Sequence, residues 1–204
     1  MKKIIVGSTG GSGCGYLLRY FFHISTLEGE THWIASDNFH LVLHEEFGLS
    51  FKGLTGDEIM EKIFKLYGRP DGESRQKIFV HDVRDLAATP SSGSVLFDAM
   101  VILPCSMKTL ASAANGISTN LIERAADVSL KERRKLLLVA RESPYSLIHI
   151  QNMEKLTLAG ATIMPASPGF YHRPQSINDL YDFMVDRIFS HLKIERRVIK
   201  PWGQ

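Results

Sequence analysis

The strongest constraint on the fold is a regular alternation of short apolar runs with longer segments whose apolar residues follow helical spacing. Strands are predicted over 3–7, 32–36, 77–80, 99–103, 135–140 and 161–165. Helices are predicted over 13–27, from 37 or 38 to 47, from 57 onward, over 107–133 with a break near Gly116, over 146–158 and over 178–192. This strand–helix order predicts an α/β fold with a Rossmann-like, doubly wound and mainly parallel sheet.

The length of 204 residues suits one compact domain, which we place at 1–194. Residues 195–204 carry several charges together with Pro201 and Trp202. We expect this segment to be a tail that becomes ordered only by docking, either at the functional site or on a neighbouring subunit.

The charge balance and the apolar runs exclude several classes of partner. The chain has 24 basic and 22 acidic residues, a net charge of +2, which is too small for a nucleic-acid-binding surface. No stretch approaches the ~20 apolar residues of a membrane helix. The apolar run after the N-terminal lysines stops after three residues, too early for a signal peptide. Cys14 and Cys105 are too few and too far apart for a disulfide framework or a zinc site. We therefore expect a cytoplasmic protein that binds neither nucleic acid nor membrane.

The first strand ends in a glycine-rich turn, Ser8–Gly13, that opens a helix. Free N–H groups at a helix N-terminus favour an anion, and glycines allow close approach of the backbone to a ligand. The spacing is not GxGxxG, because the last position counted from Gly11 is Tyr16, and no Gly-Lys-Ser/Thr follows. A tight packing turn without a ligand remains an alternative.

The end of the second strand separates two classes of nucleotide site. Ser36 is a donor suited to a phosphate, as in a flavin mononucleotide site. Asp37 beside it keeps an NAD site open, because such sites use an acidic residue to bind the ribose. Asp37 is also an ordinary helix cap that needs no ligand.

Two further strand ends carry polar groups. Pro104 and Cys105 lead into Ser106–Thr109, and the apolar strand 135–140 is followed by Arg141 and Glu142. Together with the polar groups at the first two strand ends, these groups could bind a phosphate and a polar ring at the same time. Alternatives are a surface ion pair for Arg141 and Glu142, and a small buried residue for Cys105, since no His stands near it in sequence.

His40 and His44 have the i, i+4 spacing of metal ligands, but Leu41 stands where the zinc protease motif has Glu. With no third ligand nearby in the sequence, we expect no metal site.

Four long motifs give the sequence a specific resemblance. They are VILPCSMKTL (101–110), NLIERAADV (120–128) with LKERR (130–134), RESP (141–144) and PGFYHRPQS (168–176). Together they resemble the UbiX-like flavin prenyltransferases, formerly described as aromatic acid decarboxylases, which are flavoproteins. The likeness runs from the first turn to Trp202 and Gly203.

The resemblance implies a set of roles. FMN would be bound by Gly10, Gly11, Ser12, Ser36, Ser106, Met107, Lys108, Thr109 and Arg141. The phosphate of dimethylallyl monophosphate would be bound by Arg124, Lys131, Tyr171 and Arg187. The proton-handling residues would be Ser12, Glu46 and Glu142, and Trp202 would help to close the site.

The resemblance also implies an activity. The dimethylallyl group would be joined to N5 and C6 of reduced FMN without a metal ion, and the prenylated FMN would become the cofactor of a separate decarboxylase. Members of the family form homo-oligomers, typically dodecamers, with active sites at subunit boundaries. Two alternatives stay open: an FMN-dependent decarboxylase of the cysteine-decarboxylating group, and a non-catalytic regulatory protein that binds FMN.

Some of these positions also have a direct physical interpretation. Arg124 and Lys131 are seven residues apart and share one helix face, where they form either a phosphate clamp or a surface ladder. Glu46 lies at a helix end that disfavours a carboxylate, so it is either merely exposed or placed for use. Tyr171 is otherwise a half-buried aromatic residue. Gly11 departs from the Ala of many relatives, and residues 54–80 support no functional prediction.

Overall fold

The structure is a computed structural model, which describes residues 2–72 and 75–200. Its strands are β1 (Lys2–Ser8), β2 (Gly29–Ala35), β3 (Gln76–His81), β4 (Ala99–Cys105), β5 (Lys135–Ala140) and β6 (Thr162–Pro165). Its α-helices are α1 (Cys14–Ile24), α2 (Asp37–Phe47), α3 (Gly56–Tyr67), α4 (Met107–Ala114), α5 (Leu121–Lys131), α6 (Leu147–Leu158) and α7 (Ile177–Leu192). A short 3-10 helix spans Thr89–Ser91.

The six strands form one parallel sheet in the order β3-β2-β1-β4-β5-β6. The chain moves outward from β1 to β3 and then returns to the other side of β1 with β4. The strand order therefore reverses between β1 and β4, and in open α/β sheets ligands bind at the carboxyl ends of the strands beside this point. The predicted fold class is confirmed.

Both faces of the sheet are covered, which explains why the central strands are almost wholly apolar. Alternate residues of β4 point to opposite sides: Val101 packs with α1, α2, α3 and α7, while Ile102 packs with α4, α5 and α6. The same alternation places Ile4 of β1 in the first core and Ile5 in the second. No helix within the described ranges has the length and apolar character to cross a membrane.

Most predicted elements are present, and the differences lie at their ends. The predicted helix over 107–133 is two helices, α4 and α5, separated by residues 115–120. Strand β4 continues two residues beyond the prediction, through Pro104 and Cys105, because Cys105 still pairs with Ala140 of β5 after a register shift. The 3-10 helix was not predicted.

The described part of the tail docks on its own chain. The N–H of Val198 donates to Asp186 Oδ1 of α7 at 2.8 Å, and Arg196 donates to Thr26 Oγ1 beyond α1 at 2.8 Å. Val198 and Ile199 pack against the core formed with α1 and α7. Trp202 lies outside the described residues, so its predicted site-closing role stays a prediction.

A nearly buried charge network joins α1 to α7. Asp182 of α7 accepts two hydrogen bonds from Arg19 of α1, at 2.7 and 2.6 Å, and lies 2.8 Å from His23 Nε2. The Arg19 guanidinium also covers the rings of Phe22 and Tyr67 at 4.7 and 4.9 Å. Burial alone would raise the pKa of Asp182, but the hydrogen bonds from His23 and Arg19 outweigh it and hold this pKa below the ordinary value. The network fixes the position of α7 relative to α1, the helix that follows the first strand-end turn.

We predict that Asp182→Asn lowers the free energy of unfolding by roughly 3–5 kcal/mol at neutral pH, because Arg19 then loses its carboxylate in a low-dielectric interface. The folded-state pKa of Asp182 is depressed. Its stabilisation is therefore fully present above the ordinary aspartate pKa and is lost as the pH falls through the folded-state pKa. Urea denaturation at neutral and acidic pH should show the difference shrinking in acid.

The matched control is Glu61→Gln, which breaks the exposed ion pair with Arg69. Exposed pairs contribute about 0–1 kcal/mol, so this variant should unfold almost like the wild type. Equal stability of both variants at neutral pH would contradict the role of Asp182.

Candidate active site

The amino end of α1 is capped by a carboxylate from another helix. Gly13, directly before α1, has a left-handed φ of 102° and no side chain to accept a hydrogen bond. Glu46 of α2 accepts instead from Ser12 Oγ at 2.6 Å and from the N–H groups of Gly13 and Cys14, both at 2.8 Å. The carboxylate thus finds at the N-terminus of α1 the favourable dipole that it lacks at the C-terminal end of its own helix. Glu46 is therefore not merely exposed, because it caps α1. Its predicted role in handling a proton stays a prediction.

This contact also corrects one expectation about the first turn. The sequence predicted that the α1 N-terminus offers free N–H groups to an anion. The N–H groups of Gly13 and Cys14 are occupied by Glu46, whose negative charge also opposes a phosphate at that point. An anion at this edge of the sheet is better served by the N-termini of α2 and α4.

The backbone of the first turn passes very close to α2. A Cβ atom on Gly10 would lie 2.7 Å from Asn38 Cβ, which is fixed to the helix backbone and cannot rotate away. A Cβ atom on Gly11 would be 3.5 Å from its nearest neighbour, the carbonyl oxygen of Cys105, which is an ordinary contact. The departure from Ala at Gly11 therefore needs no structural compensation.

Ser36, and not Asp37 or Asn38, caps α2. Its hydroxyl accepts from the N–H of Phe39 at 3.2 Å, and its own N–H donates to the Ser8 carbonyl at 2.9 Å. Asp37 instead pairs with Arg84 at 2.9 Å and Lys52 at 3.5 Å. These two cations, Arg84 first, hold the pKa of Asp37 below the ordinary value. With two cations already on its carboxylate, Asp37 is poorly suited to the ribose of NAD.

A hydrogen-bonded bridge joins the first turn to the turn after β4. Thr9 Oγ1 donates to the Pro104 carbonyl at 3.0 Å and accepts from the N–H of Ser106 at 2.8 Å. Ser106 in turn caps α4, accepting from the N–H of Thr109 and donating to Thr109 Oγ1 at 3.2 Å. No sequence signal pointed to the bridging role of Thr9. The bridge fixes the position of the turn after β1 relative to the turn after β4, the two strands between which the strand order reverses.

Lys108 turns toward α5 and pairs with Glu123, a carboxylate that is completely buried. Glu123 Oε2 also accepts from the N–H and hydroxyl of Thr119, at 2.8 and 2.6 Å. Burial would raise the pKa of Glu123, but the hydrogen bonds from Lys108 and Thr119 hold it below the ordinary value. Met107 is buried in the core beneath. The predicted flavin roles of Met107 and Lys108 stay predictions.

Arg141 and Glu142 follow β5 at the same edge of the sheet. The N–H of Arg141 donates to the Cys105 carbonyl at 3.3 Å, which places Arg141 beside the β4–α4 turn. Glu142 accepts from the N–H of Ser143 at 3.1 Å. Within residues 2–72 and 75–200, Arg141 and Glu142 form no ion pair with each other.

An aromatic pair that the sequence did not single out lies beside Glu46. Tyr16 and Tyr181 meet edge to face, with ring centroids 5.1 Å apart. A Cβ atom on Gly15 would lie 2.4 Å from the Tyr181 ring, so the glycine makes this packing possible. Burial first, with a further contribution from the negative charge of Glu46, raises the pKa of both phenols.

The structure does not bring all four predicted phosphate-binding residues to this strand end within one chain. Arg124 pairs with Asp127 at 3.1 Å, and Lys131 pairs with its neighbour Glu132. Lys131 ends α5, just before the amino end of β5. The six residues of β5 span roughly 20 Å, so Lys131 lies about that far from the carboxyl ends of the strands. Arg187 is exposed on α7. Tyr171 lies in the loop before α7 and its ring packs 5.6 Å from that of Phe183.

The remaining candidate nucleophile and metal ligands take structural roles. Cys14 and Cys105 are buried free thiols, and burial raises the pKa of both. The small-residue interpretation of Cys105 thus holds. His40 packs edge-on against Trp33. Among the described side chains, no group of three or more His, Cys, Asp or Glu residues is placed to hold a metal ion.

The parallel sheet with polar groups at its strand ends is typical of nucleotide-binding α/β proteins, and comparisons with known proteins show which family this chain belongs to. Residues 1–189 match the model of the Flavoprotein family. The chain is 43% identical to the flavin prenyltransferase UbiX of Pseudomonas aeruginosa over 203 residues, covering 100% of this chain and 95% of that protein. It is 38% identical to the flavin prenyltransferase UbiX of Methanocaldococcus jannaschii, covering 98% of each.

Solved structures agree. AnUbiX (PadA1), in a crystal structure with FMN and dimethylallyl pyrophosphate, has a TM-score of 0.85 at 36% identity and covers 100% of this chain and 98% of that one. A dodecameric FMN-dependent UbiX-like decarboxylase from Escherichia coli O157:H7 has a TM-score of 0.84 at 34% identity and covers 99% and 100%. The cysteine decarboxylase TvaF shares only the fold, at 10% identity and a TM-score of 0.58, with coverage of 95% and 99%. The chain belongs to the UbiX flavin prenyltransferase family, as its motifs predicted.

We predict different effects of one added methyl group at two neighbouring glycines. Gly10→Ala should lower the free energy of unfolding by roughly 1–3 kcal/mol and weaken FMN binding, because its Cβ would overlap with Asn38. Gly11→Ala should leave both properties nearly unchanged, since its Cβ has ordinary contacts. Thermal unfolding and flavin titration measure both effects. Equal effects of the two substitutions would contradict the close approach of the turn to α2.

Proposed function

We propose that the protein transfers the dimethylallyl group of dimethylallyl monophosphate to reduced FMN. Ser12 and Glu46 remove the proton that leaves the flavin when the second bond forms. The observation that carries this proposal is the 2.6 Å hydrogen bond from Ser12 Oγ to Glu46 Oε1, at the turn that opens onto the strand ends. Membership of the flavin prenyltransferase family supports the reaction class. The ligands in the AnUbiX structure, FMN and dimethylallyl pyrophosphate, support FMN and a dimethylallyl phosphate ester as substrates.

The strand-end groups fit FMN. Ser36 and Ser106 begin α2 and α4, whose N-termini favour a phosphate, and Arg141 adds a cation at the end of β5. At Gly10 the backbone of the first turn approaches the start of α2 so closely that a Cβ atom would overlap with Asn38. When bound, the reduced flavin supplies the N5 and C6 atoms to which the dimethylallyl group becomes attached.

The hydrogen-bond geometry gives Ser12 and Glu46 distinct roles. Ser12 donates its proton toward Glu46, so the lone pairs of Ser12 Oγ are left to accept a proton from the reacting centre. Glu46 is held by three hydrogen bonds, so its carboxylate is oriented before substrate binds. A proton that leaves the substrate can therefore pass through Ser12 to Glu46. We assign Glu142, beside Arg141, to the proton exchange with the departing phosphate.

The cations of α5 and α7 require a second subunit in this proposal. In its own chain, Lys131 is roughly 20 Å from the strand-end site, too far to bind a phosphate there. We infer that Arg124, Lys131 and Arg187 complete the site of a neighbouring copy, while Tyr171 closes over the same phosphate. Positive groups in a water-poor site stabilise a phosphate leaving group without a metal ion. The dodecameric E. coli relative supports such an assembly.

The two alternative functions have weaker support. A cysteine decarboxylase would have no use for Arg124, Lys131 and Arg187, and the similarity to TvaF extends to the fold alone. A purely regulatory FMN-binding protein would not need the oriented Ser12–Glu46 pair. We further propose that prenylated FMN passes to a separate decarboxylase and that the reaction takes place in the cytoplasm, where buried free cysteines such as Cys14 remain reduced.

We predict that Glu46→Gln binds FMN like the wild type but forms prenylated FMN about 10²–10⁴-fold more slowly, because positioned acid–base groups contribute that much. Glutamine keeps the length of the side chain and an oxygen for Ser12, but it removes the basic carboxylate. A single-turnover assay with reduced FMN and dimethylallyl monophosphate measures the rate.

The control is Glu45→Gln, which removes the neighbouring exposed carboxylate on the same helix and should react at the wild-type rate. An unchanged rate for Glu46→Gln would transfer the proton role to Glu142 or to the phosphate. A wild-type protein that forms no prenylated flavin would refute the proposed function itself.

We predict that mixing two inactive variants restores activity if the site is shared. Oligomers reassembled from Glu46→Gln and Lys131→Ala chains contain some sites with Glu46 from one chain and Lys131 from its neighbour. A mixture of Arg124→Ala and Lys131→Ala chains is the control, because every α5 still lacks one cation. Recovery only in the first mixture is the expected result. No recovery there, with mixed oligomers verified by mass, would contradict a shared site.

A further inference from the structure

The loop between β6 and α7, residues 166–176, is anchored firmly at its two ends. At its start, the N–H of Ala166 donates to the Ala140 carbonyl at 2.8 Å. At its end, Asp179 accepts from the N–H groups of Gln175 and Ser176 at 2.7 and 2.9 Å. The middle of the loop projects outward: Phe170 is 68% exposed. The position of the middle therefore depends on other contacts.

Three aromatic rings, which we call the aromatic clamp, contribute contacts there: Tyr171, His172 and Phe183. The His172 ring stacks on Phe183 of α7, with centroids 5.3 Å apart and an interplanar angle of 16°. Tyr171 stands edge-on to Phe183 at 5.6 Å and to His172 at 6.3 Å. Phe183 is itself a buried core residue, so the clamp attaches the loop to the rigid body of the protein.

Gly169 lets the backbone pass close to the clamp. A Cβ atom there would lie 2.9 Å from Tyr171 Cε1 and 3.1 Å from Phe183 Cζ. Both distances are shorter than side-chain contacts normally allow, so any larger residue would push Tyr171 away from Phe183. The loop sequence and the clamp are thus matched to each other.

His172 uses its ring face and not its nitrogens in this arrangement. Nδ1 and Nε2 are both buried, and neither has a hydrogen-bond partner within the described part of the chain. A buried polar atom without a partner is costly, and each such case in a folded protein calls for an explanation. The contact that offsets this cost here is the stack on Phe183.

We propose that His172 is a positioning residue, whose ring holds Tyr171 in the place where the phosphate of the allyl donor binds. This inference rests on the proposed function, in which Tyr171 contacts that phosphate. His172 does not itself contact substrate. Its ring stacks on Phe183 and fixes the direction of the adjacent Tyr171. This lowers the entropic cost of ordering the loop when substrate binds.

The test compares His172→Ala, which removes the ring, with His172→Phe, which keeps a ring and removes both nitrogens. Aromatic pairs of this kind correspond to roughly 3- to 10-fold in an equilibrium. We expect His172→Ala to raise the KM for dimethylallyl monophosphate by about that factor, with kcat and FMN affinity little changed. We expect His172→Phe to restore the wild-type KM. Ile177→Ala, an exposed apolar change beside the loop, is the matched control.

A second readout follows the loop without using activity. Chymotrypsin cuts after exposed aromatic residues, so nicking at Phe170 should speed up in His172→Ala and stay at the wild-type rate in His172→Phe and Ile177→Ala. Rescue by Phe in both assays is the result that supports the proposal.

Three outcomes would overturn it. A His172→Phe variant as impaired as His172→Ala would mean that the nitrogens act. Faster nicking of His172→Ala with an unchanged KM would mean that the clamp orders the loop without positioning a phosphate ligand. An unchanged KM in Tyr171→Ala would remove the residue through which His172 is said to act. Absence of prenylated flavin from the wild type, by contrast, refutes the proposed function.

Discussion

The arrangement of the site depends on one carboxylate that bridges two helices. Glu46 leaves the end of α2 and caps α1, taking hydrogen bonds from Ser12, Gly13 and Cys14. The contact satisfies N–H groups that Gly13 cannot satisfy with a side chain of its own. It also orients the same carboxylate that the proposed chemistry requires. In the proposed mechanism the helix cap and the proton acceptor are one group, and we expect the phosphate of FMN at the starts of α2 and α4.

The rest of the fold keeps this cap in register with the other strand ends. Thr9 ties the first turn to Ser106, and the Arg19–Asp182 pair ties α1 to α7. Through α7 the constraint reaches Phe183 and the loop that carries Tyr171. Lys131, in contrast, lies at the C-terminal end of α5, just before β5 begins. We therefore propose that one chain supplies the proton-handling residues and that a neighbouring copy supplies phosphate-binding cations.

Periodicity and motif likeness predicted much of this arrangement, and each miss has a physical reason. The central strands could be predicted because both faces of the sheet are covered, so that these strands are continuous apolar runs, as in 135–140. The break between α4 and α5 was located only approximately, because a helix end depends on caps such as Asn120. The partners of Glu46, Thr9 and Asp182 could not be predicted, since each hydrogen bond joins residues distant in sequence. Helical spacing places Arg124 and Lys131 on one face of a helix. It does not show that the end of this helix that carries Lys131 lies far from the carboxyl ends of the strands.

The most direct test is the mass of the flavin after wild-type protein is incubated anaerobically with reduced FMN and dimethylallyl monophosphate. We expect a flavin heavier by one dimethylallyl unit, formed in proportion to the protein and without added metal ion. Flavin of unchanged mass, recovered from protein that demonstrably binds FMN, would contradict the proposed function.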